Sequence, residues 1–136
     1  MLYLWIFGDN VEDAMGHFRF PLFYVLCGLA AAMFQIVAGP ESRIPLVGAS
    51  GAIAGVLGAY ILLWPKGKVS VLVGRSVTEM SALVVIGFWF VLQFMSGIGS
   101  LYSTDEAGGV AYMAHIGGFL AGLAIAFIFA KLSRIP

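Results

Sequence analysis

The chain has 136 residues, 61% of them hydrophobic and 10% charged, with a net charge of zero. A soluble domain carries about 25% charged residues, and a fold of this length has no way to hide so much apolar surface from water, so composition points to a membrane. The absence of net positive charge removes a basic nucleic-acid face. The single cysteine, Cys27, excludes an internal disulfide and a cysteine-based metal site and is expected to pack as a small apolar residue.

The first segment, Met1 to Gly8 (MLYLWIFG), is apolar and aromatic but reaches only about 12 Å as a helix, less than half a bilayer. The acidic residues Asp9, Glu12 and Asp13 follow. With no basic n-region and no small-residue cleavage site it does not read as a signal peptide. Residues 1–16 read instead as the lower half of a membrane span whose upper half is missing.

Four uncharged stretches follow, over residues 20–40, 44–65, 80–104 and 107–130. Each meets the requirement of about 20 residues for crossing about 30 Å of hydrocarbon. Strand alternation is absent, and backbone satisfaction in lipid leaves helices as the expected elements. The expected fold is therefore all-α: a polytopic transmembrane helical bundle of four full spans plus an N-terminal half-span, one domain over residues 1–136.

Charge sets the orientation. Arg19, Lys66, Lys68, Arg75, Lys131 and Arg134 fall on one side of this topology, and only Arg43, with Glu41, Asp105 and Glu106, on the other. The positive-inside rule makes the first side, and with it the C-terminus, cytoplasmic. The second and fourth full spans then run in the same direction.

Gln35, Ser50, Gln93, Ser96 and His115 are the main polar groups within the spans, and His115 is the only ionisable one in the four full spans. Such a residue is costly in lipid and faces a partner or a cavity. Ser50 lies sixteen residues before Lys66, and His115 sixteen before Lys131, so both sit about 24 Å above the basic end of parallel helices. Gly51/Gly55 and Gly118/Gly122 are GxxxG pairs that let helices approach closely, as a Ser–His hydrogen bond requires. Serine in a glycine-rich membrane helix more often bonds its own preceding turn, and a membrane histidine also serves as a proton relay. Matched depth, direction and glycines together favour a Ser50–His115 dyad. Gln93 is expected to bond across helices without a catalytic part.

These residues carry a resemblance. Gly48-Ala49-Ser50-Gly51 resembles the GxSG motif of rhomboid proteases, and the run Ala114 to Gly122 resembles their AHxxGxxxG motif. The run Gly8 to Gly16, with Glu12 at its centre, is similar to their GxxxExxxG motif. The resemblance covers the chain from the second to the sixth core helix. It implies a rhomboid-type intramembrane serine endopeptidase with Ser50 as nucleophile and His115 as general base, acting on transmembrane helices of membrane-protein substrates without a metal or organic cofactor. Backbone amides of Ala49 and Ser50 would serve the oxyanion. Gly48, Gly51, Gly55, Gly118 and Gly122 would pack helices, and Gly8, Glu12 and Gly16 would be structural. The span over 80–104 resembles the family's lateral gate, with Phe88, Trp89 and Phe90 candidates for the substrate entrance.

The family also supplies two side-chain oxyanion donors, a histidine and an asparagine in HxxxN, which by its pattern would stand upstream of Met1. His17 lies at the wrong end of its helix to replace them. The expectation is a sequence cut short at its N-terminus, with impaired activity. A non-catalytic rhomboid-like binder of membrane helices is the alternative, and a small proton-relaying transporter subunit a more distant one. The compact core suggests a prokaryotic plasma membrane. The sequence does not give the oligomeric state.

Overall fold

The computed structural model describes residues 1–43, 49–102 and 112–133. They form α1 (Leu2–Met15), α2 (Arg19–Ala38), α3 (Ser50–Leu63), a hairpin of β1 (Lys68–Val73) and β2 (Ser76–Ser81), α4 (Ala82–Tyr102) and α5 (Tyr112–Ser133). The chain is thus mostly helical. Among the described residues three helices are long and apolar enough to cross a membrane, namely α2, α4 over Ala82–Gly99, and α5, whereas α3 is apolar but shorter. At 1.5 Å per residue its fourteen residues rise about 21 Å.

Local sequence explains the breaks. Gly16 ends α1 at φ 90°, where a Cβ would be strained, and its N–H bonds the Glu12 carbonyl at 2.7 Å. Pro21 sits in the first turn of α2, where no intrahelical donor is required. The α2 helix stops before Gly39-Pro40, and α3 before Trp64-Pro65, because the residue preceding a proline avoids helical backbone.

The middle rod is α3. Gly51, Ala52 and the run from Ala54 to Tyr60 are all buried, so this helix is covered nearly all round, as a low amphipathicity demands. Within lipid, apolar burial supplies no driving force between helices, and close van der Waals packing must do so instead. Small residues provide it. A Cβ on Gly51 would meet the Ala31 side chain at 2.5 Å and the Ala114 carbonyl at 3.5 Å, and one on Gly55 would meet Cys27 at 2.5 Å. Cys27 is fully buried in this contact. The successive contacts Gly51–Gly118, Gly55–Gly122 and Gly58–Leu123 run in the same sense along both helices, so α3 and α5 are parallel. Ala31 meets Gly51 while Cys27 meets Gly55, so α2 is antiparallel to α3.

The α1 helix leans on α3 through Phe7, whose ring meets Tyr60 edge-on with centroids 4.8 Å apart. The α4 helix closes the other side, with Phe90 stacked on Phe119 at 4.3 Å. Large apolar residues such as Leu22, Met33, Val84, Phe88 and Phe127 cover the outside, the surface a bilayer would solvate. Arg19 lies over the Phe129 ring near the end of α5, 5.8 Å from its centroid. Lys131 is in the last turn of α5. Because α3 runs parallel to α5, Lys66, just past the end of α3, lies at this same end, from which β1 continues.

The hairpin corrects the expectation of helices alone. Val69, Val71 and Val73 alternate with polar or exposed neighbours, and Val77 opens the return strand. The strands pair antiparallel from Lys68 with Ser81 to Val73 with Ser76, leaving Gly74 and Arg75 as the turn. Gly74 takes φ 63°, as a tight hairpin turn requires. Its base is tied to the bundle by the Ala82 N–H, which donates to the Gly67 carbonyl at 2.8 Å.

Helix boundaries also differ from the apolar stretches. Met80 and Ser81 belong to β2, so α4 starts at Ala82 rather than residue 80, and α5 continues past residue 130 to Ser133. The described part of the second full span begins at Ser50. Its expected first residues, 44–48, and the expected ends of the last two spans, 103–111, lie outside the described residues, as do Asp105, Glu106 and Arg134.

Candidate active site

Ser50 is the first residue of α3. Ala49 before it has φ −89° and ψ 15°, and its carbonyl accepts the first helical bond, from the Ile53 N–H at 3.0 Å. The amides that follow Ala49 therefore belong to the first turn of a helix, where N–H groups have no intrahelical partner and the helix dipole is positive. Gly48 lies outside the described residues.

His115 is on the fourth residue of α5, half-buried. Its height is set by two contacts. The Ala114 carbonyl faces Gly51 across the helix interface. The Ala114 N–H is taken up by Gln35 of α2, whose Oε1 accepts it at 3.1 Å. Ser50 precedes Gly51 and His115 follows Ala114, so hydroxyl and imidazole are carried at matching heights.

The two residues border one cavity of about 170 Å³, with Ile53, Leu57 and Trp89 among its walls. Among the described residues no hydrogen bond joins Ser50 to His115. The imidazole is held from the other side: Gln93 Oε1 stands 2.6 Å from His115 Nδ1, and the Trp89 ring lies against it, centroids 5.8 Å apart and tilted 39°. Catalytic hydrogen bonds are often long or unformed in the absence of substrate, so a shared cavity with one ring nitrogen uncommitted is the relevant geometry.

The glycines predicted to pack helices meet each other. The Gly118 Cα abuts the Gly51 carbonyl, and Gly122 abuts Gly55. Gly8 and Gly16 lie on α1 and at its end, and a Cβ on Gly8 would meet Leu4 at 3.0 Å. Glu12 bonds His17 Nδ1 at 2.6 Å on the surface, and this bond, with the Glu12 charge, raises His17 above the usual histidine range. His17 lies beyond the far end of α1 from Tyr3, which borders the cavity. Of the three aromatic candidates, Trp89 lines the cavity, whereas Phe88 is exposed on the outside. Phe90 is committed to its stack on Phe119, because a helix cannot aim three successive side chains at one place.

The expected cross-helix bond of Gln93 is present, but sequence reasoning did not name His115 as its partner, and it missed Gln35 as the acceptor for the Ala114 N–H. It also missed Tyr3 as a wall of the cavity. The spacing of Trp89 and Gln93, one helical turn apart, was the available signal for a shared face. Nothing in the sequence marked which helix that face would meet.

Comparison with known proteins gives a consistent picture. A Rhomboid domain model matches residues 1–132. The chain is 28% identical over 123 residues to RHOMBOID-like protein 6, mitochondrial, of Arabidopsis thaliana, covering 90% of this chain and 35% of that protein. It is 27% identical over 135 residues to Rhomboid protein 1, mitochondrial, of Saccharomyces cerevisiae, covering 96% and 37%. It is 32% identical over 126 residues to Rhomboid protease GluP of Bacillus subtilis, covering 91% and 22%. The chain thus spans about a third of the length of the first two. No solved structure gives a significant match. Relatives named as mitochondrial and chloroplastic stand beside the bacterial one, and they do not support the expected prokaryotic plasma membrane. The apolar helices fit a multi-pass membrane protein, and on a match running through nearly its whole length the chain belongs to the rhomboid family.

Proposed function

We propose that this chain is the membrane core of an intramembrane serine endopeptidase that cleaves transmembrane helices of membrane-protein substrates. The observation that carries the reading is that Ser50 and His115, on separate helices, border one cavity. A serine hydroxyl becomes a useful nucleophile when a neighbouring base takes its proton. His115 takes that proton as Ser50 Oγ attacks the scissile carbonyl, and returns it to the leaving amine. Water then hydrolyses the acyl-enzyme by the same base. Backbone N–H groups of Ala49 and Ser50, at the positive end of α3, serve the oxyanion. The cationic end of the bundle is cytoplasmic in this reading, which puts the cavity toward the opposite face.

The test is labelling by a fluorophosphonate in detergent. Labelling that vanishes in Ser50→Ala and in His115→Ala supports the reading; labelling retained in Ser50→Ala overturns it. The missing Ser50–His115 hydrogen bond favours one other reading, a non-catalytic binder of membrane helices. Retention of an unstable transmembrane peptide by a chain that is never labelled would select that alternative.

A further inference from the structure

The closest polar contact to the His115 ring comes from α4, not from α3. Gln93 Oε1 and His115 Nδ1 are 2.6 Å apart, and Trp89, one turn earlier on the same helix, lies against the ring. Two successive turns of α4 therefore fix both the plane and the hydrogen bonding of the imidazole.

Neutral imidazole carries one proton, on either nitrogen. An amide carbonyl oxygen has no proton to offer, so a contact of this length requires Nδ1 to be the donor. The lone pair then resides on Nε2. Had the amide NH₂ faced the ring, Nδ1 would accept, Nε2 would carry the proton, and the ring could not take one from Ser50. We propose that Gln93 is a positioning residue that selects the Nδ1–H tautomer of His115 and leaves Nε2 free to act as the base.

The choice of an amide has a physical reason. In a soluble triad a buried carboxylate orients the histidine. A carboxylate within a membrane span carries a heavy desolvation cost, whereas an amide oxygen accepts the same bond without bringing a charge. The catalytic consequence rests on the protease reading. The tautomer itself does not.

The test separates the two. Histidine is ¹⁵N-labelled in the full chain in micelles, at a pH where imidazole is neutral, and long-range ¹⁵N–¹H correlations identify which His115 nitrogen bears the proton. A His17→Gln chain assigns the signals. The Nδ1–H form is expected in the unmodified chain and in Gln93→Glu, which keeps an acceptor. It is expected to give way largely to Nε2–H in Gln93→Met, which has similar size and no acceptor. Ser50-dependent turnover should fall about 10–100-fold in kcat in Gln93→Met, by analogy with loss of the outer hydrogen-bond partner of a metal-ligating imidazole, with KM little changed and partial recovery in Gln93→Glu. An Nε2–H form in the unmodified chain overturns the assignment even if Ser50 is labelled, and needs no variant to fold. Retention of Nδ1–H in Gln93→Met overturns it as well. An Nδ1–H form without any Ser50-dependent labelling upholds the Gln93 bond and overturns the protease reading.

Discussion

The Cα of Gly118 rests against the carbonyl of Gly51, and the two backbones leave no room for a methyl group between them. This contact and its repeat one turn on, Gly122 against Gly55, determine how near α5 comes to α3. They therefore determine how near an imidazole on one can come to a hydroxyl on the other.

Replacing Gly118 by alanine should consequently force the helices apart. Its Cβ would overlap backbone rather than the end of a flexible side chain, so the neighbour cannot move aside. Overpacking costs about 1–3 kcal/mol and occasionally more, and backbone overlap belongs at the upper end. Gly87 is the control: a Cβ there meets nothing within 4 Å, and alanine is the better helix former by roughly 1 kcal/mol. Thermal unfolding in one detergent should show Gly118→Ala clearly destabilised and Gly87→Ala equal to or above the parent. Equal midpoints for the two variants would mean that the close approach is not a structural constraint.

Much of this arrangement was legible in the sequence, because membrane packing writes itself in residue size. Paired small residues such as Gly51/Gly55 and Gly118/Gly122 have few other reasons to recur four apart in apolar helices, and the equal distances of Ser50 from Lys66 and of His115 from Lys131 gave the expected height of those two residues. The β1–β2 hairpin was legible too, from valines at alternate positions around Gly74-Arg75. The contacts of Gln93 and Gln35 were not legible. Each depends on the rotation of one helix against another, and α2 is apolar on nearly every face, so no polar stripe gives its orientation.

The Gln35 contact carries its own expectation. The Ala114 N–H, in the first described turn of α5, is paired across to Gln35 Oε1 at 3.1 Å. Gln35→Met keeps the length of the side chain and removes the acceptor. A polar group left unpaired away from water costs about 1–3 kcal/mol. Because Ala114 immediately precedes His115, the loss should also loosen the first turn of α5. Amide exchange measured by mass spectrometry should rise in the peptide containing Ala114 and remain unchanged in one from α1. Unchanged exchange at Ala114 would show that the bond contributes nothing to holding that turn.

At the other end of the molecule the exposed pair Glu12 and His17 should report pH. The Glu12 hydrogen bond, and then its charge, raise the His17 pKa above its ordinary value. A histidine whose pKa is raised on folding adds stability that is complete below the unfolded value, about 6.5, and lost as pH rises through the higher folded value. NMR titration of the His17 ring should show the midpoint moving down in Glu12→Gln. Salt should also lower it, since exposed charges are screened. A midpoint indifferent to both changes would leave the 2.6 Å contact without electrostatic consequence.

The wall between the cavity and α4 yields a prediction about what reaches Ser50. Trp89 borders the cavity and lies against both His115 and Phe119, the latter with centroids 6.5 Å apart. Phe88, its neighbour in sequence, is 67% exposed on the outer surface. Trimming Trp89 to alanine enlarges the space beside Ser50, whereas trimming Phe88 removes only a lipid-facing ring. Two fluorophosphonates, one small and one bulky, measure the difference as a ratio of labelling rates, which cancels any general loss of folded protein. The bulky-to-small ratio should rise several-fold in Trp89→Ala and stay at the parent value in Phe88→Ala. Phe90→Ala should instead lower thermal stability, because its stack on Phe119 at 4.3 Å is part of the core. If Phe88→Ala shifts the ratio more than Trp89→Ala does, molecules reach Ser50 from the lipid side of α4, and Trp89 is not what limits their size.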